Sequence, residues 1–188
     1  LPAVEPEGNR FLFQRTVLVG ILQLEKILFV LEAMNLTVNN TEYVLEIQTD
    51  RNLLSVLRSE IGLTGAKEGC DDSECGACMV LLDGKPVNSC SILAVQAVGR
   101  IITTVEGLGQ PDKLNTIQKE FIKAGAVQCG FCTPGMIVSS YALLMENSRP
   151  SGYEVRVALS GNLCRCTGYQ NIVEAVLRAA ELWEQTAN

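Results

Sequence analysis

Eight cysteines are the residues in this sequence best suited to chemistry. Cys70, Cys75, Cys78 and Cys90 are separated by four, two and eleven residues; Cys129, Cys132, Cys164 and Cys166 are separated by two, thirty-one and one. Two sets of four thiols match the ligand count of a tetrahedral zinc site or of an iron–sulfur cluster held by four thiolates. The 188 residues include no histidine. That excludes Ser-His-Asp catalysis, Cys-His nucleophiles, mixed Cys/His zinc sites, Rieske-type clusters and histidine general bases together. No other base, nucleophile or substrate-pocket motif stands out.

Three uses of the thiols compete. Disulfides suit small secreted scaffolds, but residues 91–128 hold no cysteine and the apolar content of 47% is enough to build a core unaided. Zinc sites usually combine two short C-x2–4-C knuckles, and neither group contains two of them. The third use is a pair of iron–sulfur clusters. C-x4-C-x2-C followed by a distant cysteine is the plant-type [2Fe-2S] spacing, and residues 70–90 fit it.

The residues around the first group give that spacing a reason. Gly69 precedes Cys70, and Gly76 and Ala77 lie between Cys75 and Cys78. Small residues let the backbone approach a cluster and turn N–H groups toward its sulfurs, and glycine reaches positive φ without strain. Such N–H···S bonds help set the potential, which lies near about −400 mV in plant-type centres. Asp71, Asp72 and Glu74 read as a solvated loop, with no second feature converging on them for acid–base work.

The elements that must hold these cysteines can be read from pattern. "MNLTVNN" and "YVLEIQT" are short β-rich runs with Asn39-Asn40 between them as a hairpin turn. Leu53, Leu54, Leu57 and Ile61 recur on one helical face, with Gly62 at the stop. "CMVLLDGKPV" is strand, Asp83-Gly84 turn and strand, and "IITTVEGL" is another short strand. The expected fold class is α+β: an N-terminal β-grasp (plant-type ferredoxin-like) domain over 36–112, then an all-α four-helix [2Fe-2S] domain over 113–188. In the second part Leu114, Ile117, Phe121 and Ile122 make one stripe. Thr133 is expected to cap a helix that starts at Pro134 and stops near Asn147. Tyr169, Ile172, Val173, Val176, Leu177 and Ala180 form the stripe of the last helix. "QCGFC" then sits on the connection into the Thr133 helix, and "GNLCRCTGY" on the turn before the last one.

Fifteen Lys and Arg against twenty-one Asp and Glu give a net charge of −6. So acidic a chain lacks the field that holds nucleic acid or an anionic membrane. Residues 1–35 are apolar, but Arg15, Glu25 and Lys26 interrupt the run short of the roughly 20 residues a span needs. They read as an N-terminal extension, an amphipathic helix docking on this chain or a partner, with an interfacial anchor as the sharper alternative. With no small-residue cleavage site and no twin-arginine pair evident, a cytoplasmic location is expected and membrane association is not.

Taken together, "GCDDSECGACMVLLDGKPVNSC", "QCGFCTPGMI" and "LSGNLCRCTGYQNIV" resemble the small iron–sulfur subunit of the molybdenum hydroxylase (xanthine dehydrogenase/aldehyde oxidase) family. The likeness covers roughly residues 36–183 and places all eight cysteines on that family's ligand positions; residues 1–35 lie ahead of where its small subunit usually begins.

The resemblance implies two [2Fe-2S] clusters, one on Cys70, Cys75, Cys78 and Cys90 and one on Cys129, Cys132, Cys164 and Cys166. It implies a large partner subunit carrying a molybdopterin cofactor and a medium partner carrying FAD, assembled as a heterotrimer or its dimer. Electrons then leave the molybdopterin centre through the two clusters to the flavin, with the helical-domain cluster beside the pterin. By the same likeness Gln128 and Cys166 contact the pterin. The chain on its own is not catalytic; it is the electron-transfer subunit of an oxidoreductase. A reductive relative acting on an aromatic acyl-CoA would look the same in this subunit. From a different class, the alternative is an interaction module with two four-cysteine zinc sites.

Overall fold

Strand alternation sets the first layer. In the segment Leu31–Val38 the side chains of Met34, Leu36 and Val38 are buried while Ala33 and Asn35 are exposed, the period-two pattern of a sheet with one covered face. The computed structural model describes residues 31–183. Five strands form one mixed sheet: β1 (Leu31–Val38), β2 (Thr41–Gln48), β3 (Met79–Leu82), β4 (Lys85–Asn88) and β5 (Ile101–Thr103), in the order β2-β1-β5-β3-β4. β1 and β5 are parallel and the other neighbours antiparallel.

Both expected hairpin turns are present. Asn39 and Asn40 sit at φ 50° and 63°, and Asp83 and Gly84 at 51° and 78°. Positive φ at both central residues is the twist that matches flanking strands, and Asn, Asp and Gly tolerate it best. Helix α1 (Leu53–Ser59) crosses the covered face and buries Leu53, Leu54, Val56 and Leu57 against Leu36, Val80, Leu82 and Ile102. Each such side chain contributes about 1.5–3 kcal/mol by leaving water. Ile61, expected on that helical face, lies beyond the helix end and is half-buried.

The "IITTVEGL" run splits: β5 ends at Thr103 and a single helical turn, α2 (Val105–Leu108), follows. Val105 and Leu108 pack against the second core, so the helical unit begins ahead of Lys113. It continues with α3 (Thr116–Lys123), α4 (Thr133–Glu146), α5 (Gly152–Ala158) and α6 (Gln170–Trp183). Ile117, Phe121, Met136, Leu144, Val155, Ile172 and Val176 form its core. Reciprocal capping boxes open α3 (Asn115 with Gln118) and α5 (Ser151 with Glu154).

Several local expectations shift. Thr133 does not cap α4 but is its first helical residue; Cys132 stands in the cap position, with helical dihedrals and no side-chain bond. Ile122 leaves the α3 stripe and is exposed, because it falls five residues after Ile117 and so points well away from the face shared by Ile117 and Phe121. Leu31–Asn35 belong to β1 and not to an extension, and the readings made for residues 1–30 lie outside the described residues. Among the described residues no helix is long and apolar enough to cross a membrane.

The two units share a face. Leu81 points opposite to Val80 and Leu82, is buried too, and lies on the strand against which α4 packs.

Candidate metal centres

The first cysteine group lies on the loop between α1 and β3, closed by Cys90 in a short 3-10 turn after β4. Asp71, Ser73 and Gly76 all have positive φ, at 60°, 69° and 67°. Alternating left-handed residues curl the backbone so that successive N–H groups face inward. The Cys75 N–H donates to Cys70 Sγ at 3.3 Å, and Ser73 Oγ is 3.6 Å from Cys90 Sγ. Cys78 and Cys90 bring their sulfurs to 3.5 Å. Asn88 Nδ2 donates to the Ser73 carbonyl at 2.8 Å and Ser89 Oγ to the Cys78 carbonyl at 2.7 Å, which ties the loop to the end of β4.

The environments of these thiols differ. Burial, reinforced by the Cys90 thiol, pushes Cys78 up to about 11, and burial also raises Cys75. At Cys70 the Asp72 carboxylate works upward, but the backbone N–H groups of Asp72 and Cys75 outweigh it and hold the thiol below its ordinary range.

The second group joins two connections. Cys129 and Cys132 lie between α3 and α4, and Cys164 and Cys166 between α5 and α6. Cys166 and Cys129 place their sulfurs 3.7 Å apart. Cys164 Sγ is 3.1 Å from Thr167 Oγ1 and accepts the Thr167 N–H at 3.5 Å. Burial, then the Cys164 thiol, pushes Cys132 up to about 12. Burial would raise Cys164 as well, but the Thr167 hydroxyl and nearby N–H groups lower it on balance. Cys129 and Cys166 are exposed, and so are Gln128, Phe131 and Leu163 around them. Gln128 and Cys166 are both exposed, Gln128 next to Cys129 in the chain and Cys166 against the Cys129 sulfur.

Tyr169 does more here than its stripe position suggested. It precedes α6 at φ 68°, a costly conformation for a bulky residue, and its ring packs on the helical core. Its hydroxyl accepts the Cys164 N–H at 2.7 Å and donates to the Asn162 carbonyl at 3.3 Å. Asn162 is a second residue the sequence did not mark. It is buried beside Gly76, and the N–H of Leu163 donates to the Cys75 carbonyl at 2.9 Å, so the two cysteine loops touch.

None of the eight cysteines is disulfide-bonded. Cys78 and Cys90 bring their sulfurs to 3.5 Å and Cys129 and Cys166 to 3.7 Å, while Cys70 acts on Cys75 and Cys164 on Cys132. Four thiols in each group match the four thiolates that hold a two-iron cluster. The donor set and its inward N–H groups therefore fit [2Fe-2S] clusters.

Comparison with known proteins agrees. The 2Fe-2S iron-sulfur cluster binding domain family matches residues 36–98, and the [2Fe-2S] binding domain family matches residues 104–177. The chain is 48% identical over 148 residues to the nicotinate dehydrogenase small FeS subunit of Eubacterium barkeri, covering 79% of this chain and 94% of that one. It is 47% identical over 148 residues to the aldehyde oxidoreductase of Megalodesulfovibrio gigas, covering 77% of this chain but only 16% of that longer protein. Among solved structures, quinoline 2-oxidoreductase from Pseudomonas putida 86 superposes with a TM-score of 0.80 at 46% identity, covering 83% of this chain and 98% of that one. With two iron–sulfur domains in this order, the chain belongs to the molybdenum hydroxylase (xanthine dehydrogenase/aldehyde oxidase) family, as the small electron-transfer subunit of an oxidoreductase.

Proposed function

We propose that this chain holds two [2Fe-2S] clusters in series and carries electrons one at a time from a molybdopterin centre on a large partner subunit to an FAD on a medium one. Cys70, Cys75, Cys78 and Cys90 hold the first cluster; Cys129, Cys132, Cys164 and Cys166 hold the second. The observation that carries the reading is the direct contact of the two cysteine loops, Leu163 N–H on the Cys75 carbonyl at 2.9 Å. When bound, the clusters supply the one-electron chemistry, and the chain's residues do the rest. Inward N–H groups at Cys70 and Cys164 stabilise the thiolate forms of their sulfurs, and burial of Cys78 keeps water from its own.

The surface around the second group supports the order of the partners. Cys129 and Cys166 are exposed together with Gln128, Phe131 and Leu163, so a docked large subunit reaches that group first. In this reading Gln128 and Cys166, both exposed, meet the pterin there. The assembly is a heterotrimer or its dimer, working in the cytoplasm.

Anaerobic isolation of the complex tests this. The expected material is red-brown, contains iron and acid-labile sulfide, bleaches with dithionite, and co-purifies with two further subunits identifiable by mass spectrometry. A colourless protein containing zinc, or one without acid-labile sulfide, would overturn the reading.

A further inference from the structure

We propose that Asn162 is a positioning residue: it locks the two cysteine loops to each other and so fixes the separation across which an electron passes between the clusters. The inference rests on the two-cluster reading and adds a residue that touches neither cysteine group with its side chain.

Asn162 is 2% exposed, and both ends of its amide are engaged. Nδ2 donates to the Gly76 carbonyl at 3.0 Å, between Cys75 and Cys78. Oδ1 accepts from Ser139 Oγ on α4 at 2.7 Å. The next residue, Leu163, gives its N–H to the Cys75 carbonyl at 2.9 Å. Consecutive residues of one loop thus grip consecutive residues of the other, immediately ahead of Cys164.

An ordinary buried amide would satisfy one stray carbonyl and no more. Three features go further. The first is orientation: the Gly76 carbonyl can only accept, so it holds Nδ2 on its side, and the Ser139 hydroxyl, able to donate or accept, then donates to Oδ1. The second is the absence of slack. A Cβ on Gly76 would stand 2.2 Å from the Gly161 carbonyl oxygen and 2.6 Å from Asn162 Nδ2, and one on Gly135 would stand 2.2 Å from the Gly76 carbonyl oxygen. The Gly76 peptide is therefore held between Gly135 of α4 and the Asn162 turn. Gly135 and Ser139 are four residues apart on that helix and share a face, so one rigid surface supports both sides of the clamp. The third is the far anchor: the Asn162 carbonyl accepts from the Tyr169 hydroxyl at 3.3 Å, and the same hydroxyl accepts the Cys164 N–H at 2.7 Å. Asn162 is thereby coupled to Cys164 on one side and to the Cys75–Cys78 turn on the other.

Asn162→Asp tests the lock, because it keeps the shape and puts an acceptor where Nδ2 donated. In the assembled, reduced complex the wild type is expected to show two sets of cluster EPR signals with spin–spin splitting between them. The variant is expected to keep both sets and to lose or narrow the splitting. Hydrogen exchange in the peptide around Leu163 is expected to speed up, and intercluster transfer to slow. Gly84→Ala, on an open hairpin turn where the added carbon meets nothing within 4 Å, serves as the control and is expected to leave the splitting as in wild type. Where Asn162→Asp does not load both clusters, Ser139→Ala replaces it: the amide keeps its bond to the Gly76 carbonyl but loses its anchor on α4, and the splitting is again expected to change. An unchanged splitting and exchange rate in the variant that loads overturns the proposal alone. A wild-type complex lacking one set of signals overturns the two-cluster reading instead, before any variant is compared.

Discussion

The N–H of Leu163 and the carbonyl of Cys75 meet at 2.9 Å, which puts a single peptide hydrogen bond between the residue next to Cys164 and a cysteine of the other group. The side chain of Leu163 is 57% exposed and plays no part in that bond. Leu163→Ala should therefore change folding stability by no more than about 0.5 kcal/mol. Leu163→Pro removes the donor and leaves the Cys75 carbonyl unpaired, at a cost of about 1–3 kcal/mol. Denaturation of the two variants side by side checks the difference; equal losses would place the effect in the side chain.

Gly76 and Gly84 both sit at positive φ, but only Gly76 is crowded. Gly84→Ala should cost about 1–2 kcal/mol, the handedness penalty alone. Gly76→Ala should cost more and disturb both cysteine groups, since its Cβ meets backbone at 2.2 Å. Gly135→Ala lies in a helix, where the exchange ordinarily gains about 1 kcal/mol. Here it should lower the melting temperature, because the added carbon meets the Gly76 carbonyl.

Cys70→Ser and Cys129→Ser separate the two groups. In the assembled enzyme each should abolish one set of reduced-state EPR signals and leave the other in place. Retention of both sets in either variant would remove that cysteine from the ligands.

Each unit has its own core. Leu57 is fully buried beneath the sheet and Phe121 is 1% exposed among the helices. Leu57→Ala should cost about 2–5 kcal/mol and Phe121→Ala about 3–5 kcal/mol. Calorimetry reads the loss, and iron content per chain shows which group is disturbed first.

Asp83 gives a pH signature. Arg100 Nε donates to its carboxylate at 2.7 Å and the Ile101 N–H at 2.8 Å, and together they hold the carboxyl below the usual aspartate range. A carboxyl whose folded pKa lies below its unfolded one adds stability above the unfolded value and loses it as pH falls through the folded value. Stability should therefore drop below about pH 4, and Asp83→Asn should flatten that part of the curve. Parallel slopes for the two proteins would show that the Arg100 pair contributes nothing.

Features written in short stretches of sequence were the legible ones. Asn39-Asn40 and Asp83-Gly84 specify their turns because the left-handed conformation is a property of those residues themselves. The cysteine groups were legible for a similar reason, as ligand spacing is set by loop length. What stayed hidden depends on distant partners. Asn162 acts on Gly76, eighty-six positions away, and nothing near either residue announces it. Tyr169 matched the apolar stripe of α6, yet its hydroxyl serves Cys164, and a periodicity argument registers only the ring. Thr133 misled because its capping preference is real, but Cys132 already has helical dihedrals and the helix starts beside it.

Gly135 against the Gly76 carbonyl has a bearing on how such chains can change over time. Where two halves abut backbone to backbone, neither can acquire bulk unless the other retreats, so the halves must be inherited as a matched set. A hybrid that draws its strands from one ancestor and its helices from another will assemble only if both donors kept the same bare seam.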